Sequence, residues 1–247
     1  MPEPALQDRV ILITGATGGF GAALAEAAAA AGAQLVLAGR QQKKLEALSD
    51  RITAAGGPVP CLFPVDFTRA SGDPYQLLAE GIEADLGRLD GVVHAAARFQ
   101  ALTPLAGLEL EEWQRALHLG VTVPFALTRA CLPLLGRSPD ASVVFMDDAV
   151  GRGDNAFWGG YAVAKAGLSS LMTLFATEHG HRDDLRFNAL RPGPMATPLR
   201  ARAFPSQDEK AQPTDQAVSA CLHLLGPSGR GINGQTLDPD QSDLGGC

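Results

Sequence analysis

The sequence predicts a single α/β domain built on a doubly wound parallel sheet. Three observations carry that expectation. Short β-branched runs alternate with helix-period segments from end to end. Runs such as RVILIT at 9–14 and SVVFM at 142–146 have continuous apolar centres without period-two alternation, as strands covered on both faces do. The 247 residues, 46% of them apolar, suit one large domain, and no repeat or low-complexity linker divides the span 1–247.

Residues 9–14 form the first strand and give way at once to glycine. An alanine-rich helix is expected over 19–31, a second strand over 34–38 and a helix over 43–55. The third strand spans 60–65. Pro74 sits in the first turn of a helix over 73–86, where a missing N–H removes nothing. A fourth strand at 91–94 precedes two helical patterns, 109–119 and 123–135. The fifth strand, 142–146, leads into a long helix over 157–179. Its Leu168, Leu171, Met172 and Phe175 form an apolar face for the core or a subunit contact. A sixth strand covers 185–190, and a Pro-rich segment follows. Thr214 is expected to cap a last helix ending at 225, with a final strand at 235–237.

Net charge is −7 with no basic run, which argues against a nucleic-acid or anionic-membrane surface. The start, MPEPALQDRV, lacks the basic and apolar regions of a secretory leader. The stretch AALAEAAAAAGAQLVLAG, broken by Glu26, Gln34 and two glycines, is too short and mixed to span a membrane. Cys61, Cys131, Cys221 and Cys247 show no metal spacing; packing residues or free thiols in a cytoplasmic protein are expected. His179 and His181 lack a third ligand nearby, so no metal site is expected.

TGATGGFG at 14–21 sits between the first strand and the first helix. Gly15 allows the tight turn, Gly19 lets backbone N–H groups approach a pyrophosphate at the helix N-terminus, and Gly21 lets helix and strand pack closely. This predicts a dinucleotide site. The second strand runs out into Ala38, Gly39 and Arg40. An acidic residue there would bond the ribose 2′-hydroxyl of NAD(H). Arg40 instead offers a planar cation to the 2′-phosphate of NADP(H), with Lys43 and Lys44 adding to the field. Tyr161 and Lys165, four apart on one helix face, read as an acid/base pair. An ammonium beside a phenol favours the phenolate and lowers its pKa from about 10.

These motifs, with VDF at 65–67, YAVAK at 161–165 and RPGPMAT at 191–197, resemble the short-chain dehydrogenase/reductase family over essentially the whole chain. ATPLRARAFPSQ at 196–207 is similar to an unassigned bacterial branch of it. The resemblance implies a Rossmann-type sheet of about seven strands, carbonyl–alcohol redox chemistry on a small molecule, and a homodimer or homotetramer. It places Asp66 and Phe67 at the adenine, and Pro192, Gly193 and Thr197 at the nicotinamide end. Thr17, Phe20 and Ala95 join the cofactor site. Tyr161 becomes the proton donor, and Lys165 its partner and a contact to the nicotinamide ribose. Residues 192–213 would cover the substrate, with Phe204 as a lid residue. Phe157 and Trp158 wall the pocket or belong to the core or a subunit contact; His94 bonds ribose or is packed.

Three departures follow. The family's catalytic serine falls on Asp148, its helix asparagine on Gly120, and its N-N-A-G motif on His94-Ala95-Ala96-Ala97. Serine donates a hydrogen bond to the substrate oxygen. An ionised Asp148 only accepts, repels the developing oxyanion and raises the Tyr161 pKa, whereas a protonated one donates. Asp147 is expected to face away. Two readings stay open: an NADP(H)-dependent oxidoreductase with retuned oxyanion stabilisation, or a dinucleotide-binding sensor or interaction protein without catalysis. Restoring serine and asparagine together is expected to exceed restoring serine alone.

Overall fold

The computed structural model describes residues 5–68, 73–153, 155–206 and 211–239. Cys247, the first four residues of the leader reading and residues 207–210 of the covering segment lie outside the described residues.

Seven parallel strands form one sheet: β1 Val10–Thr14, β2 Gln34–Gly39, β3 Cys61–Pro64, β4 Gly91–His94, β5 Ala141–Met146, β6 Leu185–Leu190 and β7 Thr236–Leu237. Their order is β3-β2-β1-β4-β5-β6-β7. The chain leaves β1 toward β2 on one side and returns to β4 on the other, with Thr14 opposite His94. That reversal opens a crevice beyond the strand C-termini, where open α/β sheets bind ligands.

The helices are α1 Gly19–Ala30, α2 Gln42–Ala54, α3 Pro74–Leu86, α4 Leu110–Leu117, α5 Val123–Leu135, α6 Gly159–Glu178, α7 Arg200–Ala203 and α8 Asp215–Leu225. Buried side chains form a core on each face of the sheet. Leu168, Met172 and Phe175 belong to one core and Leu171 packs against it. Asp73 caps α3 through Gln76 N–H at 3.0 Å, ahead of Pro74.

Three expectations are corrected. The patterns at 109–119 and 123–135 are not separate helices: a π-turn, His118–Thr122, joins α4 to α5 in one run. A π-turn adds a residue per turn without breaking the helix, which sequence periodicity reads as a gap. This run, Leu110–Leu135, is long and apolar enough by composition to cross a membrane, an 18-residue window in it having mean hydropathy 1.3. Yet it buries Leu119, Val123, Leu127, Cys131, Leu134 and Leu135 in the core, as an interior helix does. Thr214 stands at the α8 N-cap with helical backbone angles and makes no side-chain capping bond. The Pro-rich segment contains the short helix α7, which was not expected.

At the N-terminal edge of the sheet, Arg9, Asp140 and Arg186 are buried together. Arg9 Nη1 donates to Asp140 Oδ2 at 2.9 Å, and Arg186 Nη1 donates to Asp140 Oδ1. Burial pushes the Asp140 carboxyl up, but the bonds and charges of Arg186 and Arg9 outweigh it and hold it below the usual range. This cluster ties together the starts of β1, β5 and β6, far from the crevice.

Candidate active site

The crevice is a cleft of about 470 Å³, within the range of small-molecule sites. Of the residues expected to touch cofactor or substrate, Gly15, Thr17, Gly19, Phe20, Gly21, Arg40, Asp66, Phe67, Ala95, Asp148, Tyr161, Lys165, Pro192, Gly193 and Thr197 line it, whereas Lys43, His94, Phe157, Trp158 and Phe204 do not.

The β1–α1 turn is built by its glycines. Gly15 adopts φ +65°, where L side chains are strained, and a Cβ there would lie 2.8 Å from the Ala96 backbone. A Cβ on Gly21 would lie 2.3 Å from the Gly15 carbonyl oxygen. No side chain caps α1, so its first turn presents N–H groups to the cleft floor. Arg40 is exposed at the end of β2 with Lys44 beside it on the cleft wall. A cradle that side chains would fill, an uncapped helix start and two cations beyond β2 fit a phosphorylated dinucleotide.

Phe67 lines the cleft while its ring is buried and stacks on Tyr75, 5.6 Å between centroids. Its carbonyl accepts from His118 Nε2 at 3.0 Å, tying this loop to the π-turn. Asp66 Oδ1 accepts from the Thr68 backbone N–H at 3.0 Å and hydroxyl at 2.7 Å. His94 is packed: Nε2 pairs with Thr128 Oγ1 at 2.8 Å, and burial drives its pKa down to about 3. Its Nδ1 has no partner. His179 Nδ1 meets the Phe175 carbonyl at 3.0 Å. Among the described residues, no three His, Cys, Asp or Glu gather as a metal site.

At the far end, α6 presents Tyr161 and Lys165 on one buried face. Tyr161 Oη donates to Asp148 Oδ2 at 2.9 Å. Asp148 Oδ1 accepts the Val150 N–H at 3.1 Å. Asn155 Nδ2 donates to the Arg152 carbonyl at 2.9 Å and steadies that turn. Lys165 Nζ donates to the Met146 carbonyl and stands 5.4 Å from the Tyr161 ring centroid. The Tyr161 pKa does not show the lowering expected from Lys165, and does show the raising expected from an ionised Asp148. Burial raises it well above the ordinary phenol value, and the charge of Asp148 and the bond to it push the same way. Burial also lowers the Lys165 pKa, with the two aspartates opposing. The resting tyrosine is therefore a neutral phenol whose proton is engaged by a carboxylate.

Asp147 does face away from Tyr161. It continues the parallel register of β5 and β6 past Met146 and Leu190, and so meets Arg191, whose Nη2 donates at 2.9 Å. Arg191 also pairs with Asp238 at 3.1 Å.

Gly120 lies in the π-turn against α6. A Cβ there would come within 2.7 Å of the Ala164 Cβ, between Tyr161 and Lys165. The asparagine of the resembling family has no room here, so the expected gain from adding it to Asp148→Ser is withdrawn.

An aromatic cluster packs behind Tyr161 and Phe99 at this end of the cleft. The Trp158 ring lies 4.7 Å from Phe99, 5.7 Å from Tyr161 and 6.3 Å from Phe204. Phe157 is exposed and holds φ +72°, so it belongs to the loop surface. The covering segment is seated: Arg202 Nη1 donates to the Phe99 carbonyl at 2.9 Å, and Arg200 stacks 4.1 Å over Phe204. Arg98, Phe99, Asn155, Arg200 and Arg202 line the cleft and were not singled out in the sequence. Arg98 and Phe99 directly follow His94–Ala97, so distance past β4 was the available signal.

A family profile described as short chain dehydrogenase matches residues 9–208. The uncharacterized oxidoreductase YciK of Escherichia coli strain K12 is 36% identical over 234 residues, 94% of this chain and 92% of that protein. A Shigella flexneri protein assigned to the short chain dehydrogenases and solved with NADP superposes with TM-score 0.92. It is 35% identical over 96% of this chain and 99% of its own. An Escherichia coli CFT073 protein of the same assignment, solved with NADPH, gives TM-score 0.92 at 34% identity, covering 98% of this chain and 100% of that one.

Proposed function

The chain belongs to the short-chain dehydrogenase family, and from that premise we propose an NADP(H)-dependent oxidoreductase that interconverts a carbonyl and an alcohol on a small molecule. One observation carries the reading: Tyr161, Lys165 and Asp148 converge at one end of a cleft whose other end is a glycine cradle flanked by Arg40 and Lys44.

When bound, the nicotinamide dinucleotide would supply or accept a hydride. The turn from Gly15 to Gly21 would hold its pyrophosphate, Arg40 and Lys44 its 2′-phosphate, and Asp66 and Ala95 the adenosine side. Pro192, Gly193, Thr197 and Lys165 would hold the nicotinamide side. The NADP and NADPH of the Shigella and Escherichia relatives support the choice of cofactor. Tyr161 Oη gives its proton to the substrate oxygen in reduction and takes it back in oxidation. To do so its hydroxyl turns from Asp148 Oδ2 toward the substrate. Lys165 stands below the ring and offsets the negative charge left on the phenol oxygen. Trp158 and Phe99 exclude water from that end. Asp148 supplies no hydroxyl to the oxyanion, and the loss of one such donor costs about 10²–10³ in rate. Slow turnover is the expected consequence.

The protein is proposed to act in the cytoplasm as a homo-oligomer; exposed Phe125, Val163 and Leu174 offer apolar surface on α5 and α6. The test is NADPH consumption across aldehydes, ketones and diketones, with Tyr161→Phe as control. A non-catalytic dinucleotide sensor is the second reading, favoured by the Tyr161–Asp148 bond. Tight NADPH binding with no turnover on any carbonyl would select it.

A further inference from the structure

The bond between Tyr161 and Asp148 has a consequence for what enters the cleft. The tyrosine has a single proton, and it is committed to Asp148 Oδ2 at 2.9 Å. A substrate carbonyl that takes this proton strips Asp148 Oδ2 of its donor. A part-buried carboxylate left without that donor carries a penalty comparable to the bond itself. Asp148 is only half-buried, lines the cleft, and holds one bond on each oxygen. A carboxylate has about four acceptor sites, so it can accept from the cleft. Oxygens on neighbouring carbons sit about one hydrogen-bond length apart, which is the spacing of Tyr161 Oη and Asp148 Oδ2.

We propose that the substrate carries a hydroxyl on the carbon next to the reacting carbon, and that Asp148 accepts the hydrogen bond of that hydroxyl while Tyr161 serves the reacting oxygen. The substrate class is then an α-hydroxy carbonyl in reduction and a vicinal diol in oxidation. This rests on the oxidoreductase reading above. The neighbouring hydroxyl is not consumed: it keeps its proton and its C–O bond. It replaces the donor that Tyr161 withdraws from Asp148, so the exchange leaves neither group unpaired. Where a serine would donate to the reacting oxygen, this chain recognises the adjacent one. Phe99, which lines the cleft edge-on to Tyr161 at 5.6 Å between centroids, offers an apolar contact to a flat substituent such as an aryl ring.

The binding experiment uses dead-end complexes, so it does not depend on turnover. NADPH-saturated protein is titrated with 1-phenyl-1,2-ethanediol and with 1-phenylethanol, which differ only in the second hydroxyl and which reduced cofactor cannot oxidise. The diol should bind about 10- to 100-fold more tightly, the range for a hydrogen bond to a charged group. Asp148→Ala and Asp148→Ser should each remove most of that ratio. Turnover is then compared on 2-hydroxyacetophenone and acetophenone. The wild type should favour the hydroxyketone in kcat/KM, and Asp148→Ser should shift the preference toward acetophenone. Equal binding of the two alcohols, binding of neither, or an unchanged ratio in both variants overturns the proposal. Equal kcat/KM for the two ketones also overturns it and leaves the oxidoreductase reading standing. A diol preference lost in both variants, with neither ketone turned over, upholds recognition by Asp148 and overturns the oxidoreductase reading instead.

Discussion

Gly120 is the position where the chain's departure from its family is fixed by packing, and substituting it should show this. On an ordinary helix, Gly→Ala stabilises by about 0.5–1 kcal/mol. Here the added Cβ would lie 2.7 Å from the Ala164 Cβ, below any normal contact. Relieving such overpacking costs about 1–3 kcal/mol. The net effect of Gly120→Ala is a destabilisation of about 0–2.5 kcal/mol, opposite in sign to the propensity. In an Ala164→Gly background the obstruction is gone, and the same substitution should stabilise by about 0.5–1 kcal/mol. The coupling energy between the two sites is therefore about 1–3 kcal/mol. The assay is denaturant unfolding of wild type, both single variants and the double variant. Because Ala164 lies between Tyr161 and Lys165, Gly120→Ala should also reduce turnover more than Ala164→Gly does. Effects that add within about 0.5 kcal/mol, or a Gly120→Ala variant more stable than wild type, would refute the contact.

Arg40→Ala should weaken NADPH binding and leave NADH nearly unchanged, narrowing the gap between them in a fluorescence titration; equal wild-type affinities would exclude a 2′-phosphate site. Tyr161→Phe should lower turnover about 10²–10⁴-fold with cofactor binding retained, and undiminished kcat would reassign the proton donor. Asp140→Asn strands Arg9 and Arg186 and should cost about 3–5 kcal/mol. Since the Asp140 pKa is depressed by folding, its contribution is present above the unfolded value of about 3.9 and is lost as pH falls below it. Acid unfolding curves of wild type and variant should therefore converge at low pH, and a constant offset would contradict that.

Most of the sheet was legible because each strand is a compact apolar run followed by turn residues. The strand 91–94 agrees with β4 to the residue. The glycine turn after β1 and Arg40 after β2 were legible for the same local reason: each is contiguous in sequence with its strand. What escaped depends on distant contacts. The π-turn is invisible to a periodicity argument, yet it sets Gly120 against Ala164. The stacking of the Phe67 ring on Tyr75 likewise joins segments with no local signal. The Tyr161 pKa was expected to fall beside Lys165 and to rise beside an ionised Asp148; burial, which the sequence did not show, adds to the second effect and decides the direction. Asp147 was read correctly from strand alternation, but its partner Arg191 needed the β5–β6 register. The Arg9–Asp140–Arg186 cluster joins residues 131 and 46 positions apart, with no local signal.

The central claim is that Asp148 holds the proton of Tyr161, and the chain has only two tyrosines with which to test it. In a Tyr75→Phe protein, phenolate absorbance followed against pH reports Tyr161 alone. With Asp148 present, the phenol should stay protonated well past pH 10, because burial and the adjacent carboxylate both raise its pKa. Adding Asp148→Asn removes the charge and should bring the titration to lower pH. A Tyr161 phenolate forming below pH 10 in the presence of Asp148, or a titration that Asp148→Asn leaves unmoved, would contradict the account.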